Sequence, residues 1–135
     1  MENNVIVQPW MRGLLLLAGI YNLAWGFFIY NFPDAFITWL SQGAIAQADP
    51  IVGYQGLGVL LLAGMFLWTA IYFHKLGYLV WVAIVLKLAG GPWTFYMLLD
   101  GLYTKRFLFH LIMNDLIWVI PLTFIALKWT RLSRT

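Results

Sequence analysis

The sequence predicts an all-α membrane protein: a four-helix transmembrane bundle, up-down-up-down, with a short interfacial helix after the first span. Three observations lead there. Of 135 residues, 63% are hydrophobic and only 10% are charged. A soluble domain carries about 25% charged residues, so this chain has too few to make a wetted surface. Four apolar runs approach the ~20 residues that a helix needs to cross a hydrocarbon core of roughly 30 Å. Finally, most of the basic residues sit between those runs, where they set orientation. The net charge of +3 is too small and too scattered for a nucleic-acid binder. There is no cysteine, which removes disulfides, thiol redox chemistry and thiolate metal sites.

The first span is expected at about 11–31, with Asn22 as its only strongly polar residue. Arg12 followed by Leu14 to Leu17 has the look of a signal peptide. The apolar stretch runs on through Phe27 and Phe28, however, with no small-residue cleavage site behind it, so a retained span is predicted. Residues 32–41 follow, with Phe36, Ile37, Trp39 and Leu40 among few polar groups. Pro33 suits a first helical turn, and the segment reads as a helix lying in the outer interface. Residues 41–49 are small and polar and read as a surface loop. The second span, 51–73, carries no charge before His74. The connection at 74–76 is minimal, so the second and third spans are expected to be antiparallel neighbours. The third span, 77–99, contains Lys87; the fourth, 107–127, contains His110, Asn114 and Asp115. No internal repeat or linker divides residues 1–135, which read as one membrane domain.

Four spans place both termini on one side. That side carries five basic residues (Arg12, Lys75, Lys128, Arg131 and Arg134) against two, Lys105 and Arg106, on the other. The positive-inside rule then puts both termini in the cytoplasm.

Depth follows from a rise of about 1.5 Å per residue. Asn22 lies about 15 Å past Arg12, Lys87 about 15 Å past Gly77 and Asp115 about 13 Å past Arg106. All three converge near the midplane, with Gln55 shallower at about 7 Å from the outer edge. A lone charge there costs about 2.5–3.5 kcal/mol on insertion scales, so Lys87 and Asp115 read as a buried pair supported by Asn22 and Asn114. The plain alternative is glue between helices. Buried pairs stabilise poorly compared with packed apolar groups, and interhelical polar contacts average under about 1 kcal/mol. A functional site is therefore the default reading, with Lys87 and Asp115 as its reactive charges and Asn22, Trp25, Gln55, Trp93, Asn114 and Trp118 as ligand-binding candidates. For the tryptophans, core packing is the competing role. Gly90, Gly91 and Pro92 are expected to thin and kink the third helix just beyond Lys87, opening space outward of the midplane near Thr94. His110, Asn114, Trp118 and Pro121 form one helical stripe. Gly53, Gly56, Gly58 and Gly64 suggest close packing of the second span. His74 and His110 fall at opposite membrane edges and both read as interfacial, so no metal site and no cofactor is expected.

The runs Ala18-Gly-Ile-Tyr-Asn-Leu-Ala-Trp-Gly26, Phe32-Pro33, Leu86-Lys-Leu-Ala-Gly90 and Asn114-Asp-Leu-Ile-Trp-Val-Ile-Pro121 resemble a family of small bacterial four-span membrane proteins, over most of the chain. The resemblance implies the same architecture, in a bacterial inner membrane, and highlights Asn22, Lys87, Asn114 and Asp115. Some members carry an automatic alkyl hydroperoxide reductase label; such peroxidases need a peroxidatic cysteine, which this chain lacks. The small multidrug resistance family shares the helix count, but its key carboxylate is a glutamate in the first helix, where this chain offers only Asn22.

Three functions fit these features. The first is a buried polar site that binds a small apolar or amphiphilic ligand, such as a quinone, isoprenoid or lipid, with proton transfer as an added role. The second is a small proton-coupled carrier. The third is a non-catalytic subunit, in a homo-oligomer or beside a larger membrane protein.

Overall fold

The computed structural model describes residues 8–90 and 104–134, and among them every regular element is helical. Six helices follow in chain order. Three are long and apolar enough to cross a membrane: α1 (Pro9–Asn31), α3 (Pro50–Ile71) and α6 (Lys105–Ser133). A shorter apolar helix, α5 (Leu79–Gly90), covers the described part of the expected third span. The rest of that span, including Trp93 and Thr94, lies outside the described residues. Two short helices join them, α2 (Pro33–Leu40) and α4 (Phe73–Leu76).

Local chemistry sets the helix starts. Proline opens α1, α2 and α3, where its missing N–H costs nothing. Asp49 caps α3 by accepting a hydrogen bond from the Ile51 amide at 3.0 Å. At the end of α2, the Gly43 amide reaches back to the Thr38 carbonyl at 2.8 Å, and Gly43 takes a φ of 85° that a side chain would resist. The loop that follows is tied to α2. Asp34 accepts from the Ala48 amide, Thr38 donates to the Ile45 carbonyl, and the buried Ser41 hydroxyl accepts from the Ile45 amide. Phe36, Ile37 and Leu40 of α2 are buried against the rest of the described helices.

The helices α1 and α3 pack closely backbone to backbone. A Cβ on Gly56 would come within 2.5 Å of the Tyr30 backbone nitrogen, and one on Gly26 within 2.9 Å of the Leu60 nitrogen. Gly53, Gly58 and Gly64 face open space instead, so of the four glycines expected to mediate packing of this span only Gly56 does so. At one end of the molecule Lys128 donates to Gln8 at 2.9 Å and the Trp129 indole to the His74 carbonyl at 3.3 Å. At the other, Thr104 donates to the Leu40 carbonyl at 2.5 Å and Arg106 to the Trp39 carbonyl at 3.3 Å.

Two apolar clusters make the core. One gathers Met11, Leu15, Phe66, Phe73, Val80 and Leu122 among others, near the end that holds Gln8 and Lys128. The second gathers Ile29, Phe36, Ile37, Leu40, Val52 and Phe107. Along α1, Asn22 falls between the two clusters; along α6, His110, Asn114 and Asp115 do. Large apolar side chains also point outward, among them Ile20, Phe27, Leu61, Trp68, Ile120 and Phe124. Such a surface is unfavourable in water and suits a hydrocarbon solvent.

Candidate functional site in the polar layer

Lys87 and Asp115 each sit on an irregular stretch of helix. Residues Leu86–Gly90 at the end of α5, and Ile112–Leu116 within α6, are π-helical. A π turn is wider than an α turn, and its entry and exit leave carbonyls without their usual i+4 donor. Two side chains donate to carbonyls of this stretch of α6. The Trp118 indole donates to the Met113 carbonyl at 3.0 Å, and the Lys87 ammonium donates to the Asn114 carbonyl at 2.8 Å. Lys87 thus ties α5 to the distorted turn of α6.

The remaining bonds complete the cluster. Lys87 Nζ donates to Asn22 Oδ1 at 3.4 Å and lies 5.8 Å from the centre of the Phe66 ring. Asn22 Nδ2 donates to its own helix, to the Ala18 carbonyl, at 2.7 Å. Asn114 Nδ2 donates to Asp115 Oδ1 at 3.4 Å. The expected direct ion pair between Lys87 and Asp115 is replaced by this bridged arrangement. Lys87 holds the backbone of Asn114, and Asp115 is held by the side chain of the same residue. The physical reason is that a carbonyl satisfies the ammonium without desolvating the carboxylate further.

A cavity of about 520 Å³ opens from this cluster, bounded by Asn22, Gln55, Lys87, Asn114 and Asp115. Its long wall is one stripe of α3, where Ile51, Gln55, Gly58, Leu62 and Met65 recur at helical spacing. Leu86 and Gly90 of α5 close another side. Tyr54 and Leu61, both strongly exposed, stand at the rim.

Trp25 and Trp118, expected as ligand contacts, lie elsewhere. Trp118 packs on Tyr21, ring centres 5.4 Å apart, beside the first apolar cluster. Trp25 belongs to an aromatic group with Phe28, Phe36 and Trp39 and borders a separate cleft of about 470 Å³. That group surrounds His110, which is 4.8 Å from Trp25, 5.3 Å from Phe36 and 6.3 Å from Trp39 between ring centres. His110, expected near the outer edge, is only 1% exposed, because α2 folds over the end of α6. Its place four residues before Asn114, on the same stripe, is the sequence signal for that burial. His74 is exposed.

No protein-family model matches the sequence, and no characterised protein or solved structure matches the chain.

Proposed function

We propose that this chain crosses a bacterial inner membrane four times, with both termini in the cytoplasm, and binds a small apolar or amphiphilic molecule beside Lys87 and Asp115. The observation that carries the reading is the cavity of about 520 Å³, apolar along α3 and polar at Asn22, Lys87, Asn114 and Asp115. Small-molecule sites are typically concave and mostly apolar, roughly 300–1,000 Å³ in volume, with a few convergent polar groups. Intramembrane ionisable residues mark functional sites by default, since their insertion is costly. Bulk lipid is the other molecule that meets such walls, so the test separates the two. A photoreactive amino acid at Met65, inside the cavity, is expected to capture a discrete small molecule in native membranes. One at Ile120, which is 66% exposed on the lipid-facing surface, is expected to capture ordinary phospholipid. Identical adducts at both positions by mass spectrometry would sink the ligand reading.

A further inference from the structure

The cavity's hydrogen-bond inventory selects a head group. A lysine ammonium has three N–H donors and no acceptor. Lys87 gives one to the Asn114 carbonyl and one to Asn22 Oδ1, which leaves one. Asp115 Oδ1 takes the Asn114 amide. Among the described residues nothing donates to Asp115 Oδ2 or to Asn114 Oδ1, although both oxygens are buried. Asp115 is only 3% exposed and Asn114 only 5%, and both residues bound the cavity. Two buried acceptors in the polar end thus lack a donor, one of them a carboxylate oxygen, while Lys87 keeps one N–H to give.

We propose that the occupant is a neutral amphiphile with a hydroxyl head, the class that includes isoprenoid alcohols and hydroquinones, its O–H donating to Asp115 Oδ2. The proposal rests on the ligand reading above and names its chemistry. An ether or ketone head only accepts, and leaves the carboxylate oxygen bare, which is costly for a buried charge. A carboxylate head would set a second negative charge beside Asp115, and an ammonium head a second positive charge beside Lys87. One positive and one negative side chain sum to zero, so a neutral head disturbs the layer least. The tail lies along Gly58, Leu62 and Met65 of α3.

Binding of radiolabelled dodecanol, methyl dodecyl ether, dodecanoate and dodecylamine to the full chain in nanodiscs, over empty nanodiscs, decides the matter. Dodecanol is expected to bind about tenfold tighter than the ether, the worth of one well-placed hydrogen bond to a charged group. In Asp115→Leu the ratio should fall to about twofold or less; the ranking on the wild-type chain decides if that variant does not fold. Equal binding of alcohol and ether, or tighter binding of either charged probe, would overturn the head-group assignment and leave the ligand reading standing. Absence of specific binding by all four probes would overturn both.

Discussion

A buried lysine has few ways to offset the loss of water, and Lys87 uses two of them. It donates to two acceptors on other helices, and its ammonium lies near the face of Phe66. Lys87→Met leaves the Asn114 carbonyl and Asn22 Oδ1 without that donor. Each orphaned buried acceptor costs about 1–3 kcal/mol, so with two of them a loss of roughly 2–6 kcal/mol is expected in detergent-denaturant unfolding. The same change leaves Asp115 as an uncompensated charge. Combining it with Asp115→Asn should therefore cost less than the two single losses added, by at least about 0.5 kcal/mol. Strict additivity would show that the bridge through Asn114 transmits nothing. Rise per residue alone was enough to bring Asn22, Lys87, Asn114 and Asp115 to one level. The way they bond was not legible, because it depends on two π turns that leave no trace in hydrophobic periodicity. The burial of His110 was not legible for a related reason. Its depth in the helix placed it at the edge, but burial there is conferred by α2, a tertiary cover that spacing cannot foresee.

At the scale of the helices, apolar length and proline located most elements. The expected spans at 11–31, 51–73 and 107–127 match α1, α3 and α6 within a few residues at most ends. The exception is the C-terminal end of α6, which continues to Ser133 through charged turns that hydropathy discounts. The glycines were less legible. Small residues signal close approach, yet composition cannot say which face of α3 meets α1. Gly56 does, against the Tyr30 backbone, while Gly53 has nothing within 4 Å. Gly56→Ala is therefore expected to destabilise the chain by about 1–3 kcal/mol through overpacking. The control Gly53→Ala should stay within about 0.5 kcal/mol. Unfolding midpoints of the two variants compare them directly; equal values would mean that α1 and α3 do not pack through Gly56. The contrast matters to the site, because Gln55, next to Gly56, and Asn22, four residues before Gly26, are carried to the cavity by that same helix pair.

Across the whole molecule, contacts at the two ends bear on how the chain sits in a bilayer. Gln8 meets Lys128 and His74 meets Trp129, so the start of α1, the α4 connection and the end of α6 gather together. Arg12, Lys75, Lys128, Arg131 and Arg134 belong to those segments, while Lys105 and Arg106 start α6 beside α2. A surplus of lysine and arginine in short flanking segments favours the cytoplasmic side. The cavity runs from the polar layer toward Ile51 and Tyr54, near the Asp49 cap and therefore toward the end that this rule places outside. Because the chain has no cysteine, single cysteines report without background. Gln47 and Ser133 are exposed and suit the purpose, whereas Ser41 is 2% exposed and would resist labelling for reasons unrelated to topology. In intact cells a membrane-impermeant maleimide should label Gln47→Cys and spare Ser133→Cys until the inner membrane is permeabilised. Labelling of both before permeabilisation would refute the four-span topology. The opposite order would keep the four spans but invert them, and the cavity would then open toward the cytoplasm.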